Sequence, residues 1–97
     1  ILNTAGVSLP IRLMNIQSKG TSVWSIKIPP RSSIIGNDIS KLKIPFRAII
    51  LGKIDNKGNP FQATENIDIE EDDTVLIISS NRNEESMTRF FQGKDNG

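Results

Sequence analysis

The sequence contains neither cysteine nor histidine. Without cysteine there can be no disulfide and no thiolate metal site. Without histidine the usual proton shuttle and the commonest metal ligand are missing. Ser–His, Cys–His and zinc chemistry are therefore excluded before any motif is read. Aromatic residues are few, one Trp and four Phe. No apolar run approaches the ~20 residues needed to cross a bilayer. Residues 1–20 lack the charged start, long apolar stretch and cleavage site of a secretory signal. The chain opens Ile1-Leu2-Asn3 without Met, so the expectation is a piece of a longer protein.

What remains is an ordinary globular composition. The 97 residues are 36% hydrophobic and 24% charged, which fits one domain and argues against disorder. A chain of this size buries only roughly two thirds of its unfolded surface, so its core must be well filled. Sixteen Ile stand against six Leu and three Val. Ile is stiff at χ1 and suits a pleated surface, so strands are favoured over helices.

Charge is distributed unevenly. Residues 1–64 hold nine Lys or Arg against Asp38 and Asp55, a balance of +7, whereas residues 65–97 hold three basic and nine acidic side chains, a balance of −6. Such asymmetry can mark an anion-binding face, or the two halves can interleave and solvate one surface.

Along the chain, Ile11–Ile16 reads as a short strand after Pro10, and Ser18-Lys19-Gly20 as a turn. In Val23–Ile28 the residues Trp24, Ile26 and Ile28 alternate with Val23, Ser25 and Lys27, the period-2 pattern of a strand. Pro29-Pro30 stops it. Asn37 or Asp38 is positioned to cap a short helix over Ile39–Leu42, with Ile35, Ile39 and Leu42 at helical spacing. Phe46–Ile54 reads as a long strand with Phe46, Ala48, Ile50, Gly52 and Ile54 on one face. Ile49 and Leu51 fall on the other, so its middle is expected to be covered on both sides. Asp55–Asn59 is a Gly-containing hairpin loop, and Pro60 makes the return strand short or an edge.

The acidic stretch Glu65–Asp73 reads as an exposed loop pinned by Ile67 and Ile69, and Thr74–Ser79 as a central strand. Asn81 and Glu84 have the spacing of a capping box, and Met87, Phe90 and Phe91 form a buried helical stripe ending at Gly93. The fold class is α+β: a small, mostly antiparallel sheet with a short helix after strand 23–28 and a C-terminal helix. Residues 1–20 read as a linker or an extra N-terminal strand, 21–93 as the domain and 94–97 as a tail.

Chemistry-bearing patterns are sparse. Glu70, Glu71, Asp72 and Asp73 lie together. They could serve as acid and base, or hold a weak Ca²⁺ or Mg²⁺ site. Neighbouring acids in a polar loop are usually only solvated, and the spacing is not that of an EF-hand. Gly36, Gly52 and Gly58 fit no phosphate-binding loop. The aromatics are better explained as core than as a base-stacking surface, so no nucleic acid polymer is expected.

Residues 23–91 nevertheless carry a recognisable order. Ser32-Ser33-Ile34-Ile35-Gly36-Asn37-Asp38-Ile39-Ser40-Lys41-Leu42 is followed by Ala48-Ile49-Ile50-Leu51-Gly52-Lys53-Ile54 with Gly58, then by Ile69, Asp73 and Thr74-Val75-Leu76-Ile77-Ile78. This resembles the TrkA C-terminal domain, the C-terminal lobe of RCK (regulator of potassium conductance) domains. Asp72 stands where the family usually has Gly, and Ala63 where it usually has Pro. The resemblance implies a non-enzymatic, cytosolic regulatory domain of a membrane potassium or other cation channel or transporter, pairing as a homodimer. It also implies a small anionic ligand, such as a cyclic dinucleotide, which some members bind between the two copies. The candidate contacts here are Ile44, Pro45, Phe46 and Arg47, with Arg47 either offering a planar fork to phosphate or standing as a solvated strand residue beside Lys53. The other readings are a ligand-free oligomerisation module and a small RNA-binding β domain.

Overall fold

A computed structural model describes residues 10–16 and 19–92. Among them run five strands: β1 (Ile11–Ile16), β2 (Thr21–Lys27), β3 (Ala48–Ile54), β4 (Pro60–Gln62) and β5 (Thr74–Ser80). A C-terminal helix, α1 (Glu84–Gln92), follows. Ser18, Gly93 and the expected tail 94–97 lie outside the described residues. The strands form one sheet in the order β1-β2-β5-β3-β4, every neighbouring pair antiparallel. The domain is thus a small α+β fold, and the apolar run 74–80 is its central strand.

One face of the sheet is covered. Trp24 and Ile26 of β2 and Val75 and Ile77 of β5 meet Met87 and Phe91 of α1, with Ile28, Ile34, Ile39 and Ile69 completing the core. Each buried aliphatic side chain contributes about 1.5–3 kcal/mol by leaving water. The segments between β2 and β3, and between β4 and β5, lie on the same side. Their backbones join where Gly36 N–H donates to the Ile69 carbonyl and Ile39 N–H to the Ile67 carbonyl.

Three sequence expectations need correction. The short helix after β2 is absent. A single three-residue 3-10 turn at Ile39–Lys41 replaces it, capped by Asp38, and Leu42 is already extended at ψ 130. Pro45 follows too closely for a second turn to form, because it disfavours helical geometry at the residue before it. Ahead of α1, Ser80 rather than Asn81 acts as a cap: its side chain accepts from Arg82 N–H at the start of a 3-10 turn. Residues 81–83 form a 3-10 turn first, and the Asn81 side chain is turned instead towards the Ser22 hydroxyl.

The third correction concerns β3. Its faces do not alternate from end to end. Ala48 and Ile50 pair with Ser79 and Ile77, but the next partners are Gly52 with Leu76 and Lys53 with Val75, so Leu51 is the extra residue of a β-bulge. A bulge shifts side-chain parity by one. Lys53, not Gly52, therefore joins the covered face. Ile49 and Leu51 are not covered at all, being 61% and 45% exposed. At Gly52 an added Cβ would meet the Phe61 carbonyl oxygen at 2.2 Å, which only glycine avoids.

Buried at 3% exposure, Lys53 is matched by Asp73 at 2%. Its ammonium donates to Asp73 Oδ2 and, at 2.8 Å, to the Asp68 carbonyl, and it sits 5.5 Å from the Phe61 ring centre. Asp73 Oδ2 also accepts from the Glu70 N–H at 2.7 Å. The pair ties the acidic loop to the sheet. That loop turns at Asp72, which takes a left-handed φ of 70. Asp tolerates this conformation better than most residues, and glycine tolerates it best.

Removing one partner of the pair leaves a buried charge alone. Lys53→Met should cost roughly 3–5 kcal/mol by urea denaturation, and the double variant Lys53→Met/Asp73→Leu should recover part of that loss. Asp72→Gly should raise stability by about 0.5–1 kcal/mol in the same assay, because the left-handed strain is relieved. Its only ion pair, to Lys27 at 3.9 Å, is exposed and weak.

Candidate functional site

The segment between the 3-10 turn and β3 is extended. Leu42, Ile44 and Phe46 are half-buried, and Lys41, Lys43, Pro45 and Arg47 are exposed. Pro45 has no N–H to offer a ladder, so the strand begins only at Ala48. The apolar side of this stretch leans on the covered face of the sheet, and its basic side chains face water. Two grooves result.

The first, about 280 Å³, lies between the segment and β3. Ile39, Leu42, Ile44 and Phe46 form one wall, Ala48 and Ile50 the floor, and Ser40 and Ala63 the rim. The second, about 370 Å³, lies between Pro45–Phe46 and α1, where Ser86, Arg89 and Phe90 complete it. Phe46 is the partition between them. Its ring stands edge-on to Phe90 at 6.3 Å and 88°, and Phe90 stands edge-on to Phe91 at 4.9 Å. These contacts fix the partition against the helix.

The structure therefore joins Ile44 with Phe46 in one groove and Pro45 with Phe46 in the other. Arg47 lines neither. It is exposed, and what holds it is its backbone: the carbonyl accepts from Ser79 Oγ at 2.9 Å and from Asn83 Nδ2 at 3.5 Å. The arginine that lines the second groove is Arg89. Arg89 sits in the last turn of α1, and no local sequence pattern relates residue 89 to residue 46. An arginine next to aromatic edges can pair with a carboxylate or phosphate while apolar rings take the rest of a ligand.

The acidic loop does not gather its carboxylates. Asp73 turns inward to Lys53, Asp72 turns outward towards Lys27, and among the described residues no group of three carboxylates is placed to hold a metal ion.

At the rim of the first groove Asp38 organises the 3-10 turn. Its Oδ1 accepts from Ser40 Oγ at 2.7 Å and from Ser40 N–H at 2.9 Å, and Asn66 Nδ2 donates to Oδ2 at 3.2 Å. The Ser40 hydroxyl, foremost among these donors, holds the Asp38 carboxyl below its ordinary value of 3.8. A carboxyl depressed by folding adds stability above its unfolded value and loses it as pH falls through the folded one.

In an acid titration of thermal stability, the Asp38 contribution should disappear below about pH 4. Asp38→Ala should be less stable than the parent at neutral pH and should converge with it on acidification. Parallel curves would remove Asp38 from this role. Compared with known proteins, the chain matches no family model and no curated protein.

Proposed function

We propose that this chain is a non-enzymatic regulatory domain of a membrane potassium or other cation channel or transporter. In this reading it works on the cytosolic side, pairs with a second copy and responds to a small anionic ligand, such as a cyclic dinucleotide. Ile44, Pro45, Phe46 and Arg47 supply the contacts. Ile44 and Phe46 offer apolar walls, Pro45 the outer lip, and Arg47 a charge at the approach.

The supporting observation is that the residues carrying the TrkA C-terminal resemblance each have a structural task. Ser32 is buried and donates its hydroxyl to the Phe91 carbonyl at 2.7 Å, fixing the end of α1. Gly36 takes a φ of 94 and donates to the Ile69 carbonyl. Ile39 enters the core, and Asp73 holds Lys53. Those tasks bring the Ile44–Arg47 segment against β3 and α1, where the grooves form. Among the described residues no helix is long and apolar enough to cross a membrane, so in this reading the transport step belongs to a larger parent protein. A ligand acts on such a parent only by binding two arrangements of the domain unequally.

The uncovered apolar residues of the sheet favour one other reading, a ligand-free oligomerisation module.

Thermal unfolding with a cyclic dinucleotide separates the two. At about 100 times Kd a bound ligand adds about 2.7 kcal/mol, which raises Tm by at least about 10 °C in a domain of this size. Arg47→Ala should keep the unliganded Tm within about 2 °C, as expected of a surface position, and reduce the ligand shift. No shift with the parent protein would leave the oligomerisation reading.

A further inference from the structure

The covered face of the sheet carries α1 and both long connections. The opposite face carries none of them. Ile11 and Met14 of β1, Val23 of β2, Ile78 of β5, and Ile49 and Leu51 of β3 mark it out, and none of the six packs against the core cluster. Ile11, Met14 and Ile49 are each more than half exposed. The registered positions on this face hold one charge, Lys27, at the corner beside Asp72.

We infer that this open face is the interface with a second copy of the chain, the two sheets stacking into a ten-stranded sandwich. The inference rests on the reading that copies pair, and it assigns the surface by which they do so.

Area, charge and the edges of the sheet single out this partner. The thirty residues of the five strands, at ~3.3 Å each and ~4.8 Å between strands, give a flat footprint of roughly 480 Å² per copy. Two copies bury roughly 950 Å² as flat strand area, and the relief of the projecting side chains brings this to the ~1,000 Å² that a specific interface should clear. A two-fold axis brings the same residues of both copies together, so a self-pairing face must not oppose like charges. This one carries no charge in its interior, and the whole chain has a net charge of only +1. The edge at β4 is three residues long and begins with Pro60, which discourages strand addition there.

A consequence separates this assembly from one that binds its ligand between the copies. Ala48 and Ile50 floor the first groove, whereas Ile49 and Leu51 lie in the interface. Groove and interface therefore occupy opposite sides of β3, and each copy holds its own ligand site.

Sedimentation velocity from about 1 µM to about 1 mM tests the assignment. The parent chain should be a dimer at the upper end. Ile49→Lys/Leu51→Lys should weaken association at least about tenfold, because a buried unpaired charge is costly. Both positions are exposed in the single chain, so circular dichroism should show an unchanged fold. Ile11→Lys/Met14→Lys, on a different strand, should do the same, and either pair of variants suffices if the other fails to fold. Arg89→Ala, on the groove side, should leave association within about twofold. A parent dimer that both face variants leave intact would overturn this interface while keeping the pairing of copies. A parent that stays monomeric at the highest concentration would overturn the pairing and this interface together.

Discussion

One extra residue in β3 decides what each side of this domain offers. Before Leu51 the strand places Ala48 and Ile50 on the covered face and Ile49 on the open one. After it, Lys53 takes the covered position beside Val75. Strict alternation would have aimed the Lys53 ammonium into water and the Ile54 side chain into the core. The bulge instead supplies the buried cation that Asp73 requires, and Asp73 in turn holds the start of β5 against the acidic loop. No buried side-chain polar atom among the described residues lacks a partner, which is what makes a charged pair tolerable in so small a core.

The rest of the architecture follows from a shortage of cover. Among the described residues, one nine-residue helix and two long connections stand against a five-stranded sheet. They are spent on one face, where they enclose the core and leave two grooves around Phe46. On the other face Ile11, Met14 and Ile49 are more than half exposed. An open apolar face on a domain otherwise well satisfied marks a place where something docks.

Much of this was legible in the residues. Period-2 alternation identified β2 and its inward residues Trp24, Ile26 and Ile28. The continuous apolar run identified β5 as central, Asp55–Asn59 identified the β3–β4 hairpin, and the spacing of Met87, Phe90 and Phe91 identified α1. Ile67 and Ile69 were correctly read as anchors of the acidic loop, Ile69 being fully buried. What failed shares one cause, dependence on a neighbour distant in sequence. The bulge arises in the pairing of β3 with β5, and only an isolated Gly and a Lys inside an apolar run hinted at it. Asn81 does not cap α1: its side chain accepts from the Ser22 hydroxyl of another strand, and Ser80 caps the 3-10 turn that precedes the helix. In the candidate site, Ile44, Pro45 and Phe46 line the grooves, but the arginine beside them comes from α1, and nothing local pairs Arg89 with Phe46.

The parity change in β3 can be observed directly by nuclear Overhauser contacts in solution. The account predicts that the Lys53 side chain contacts Val75 and the Phe61 ring, with slowly exchanging ammonium protons, while the Ile49 side chain contacts Ile78 on the opposite face. A Lys53 side chain free in solvent, with Ile54 and Gly52 on the side of Val75 and Ile77, would contradict it. The core, the grooves and the open face would then all have to be redrawn.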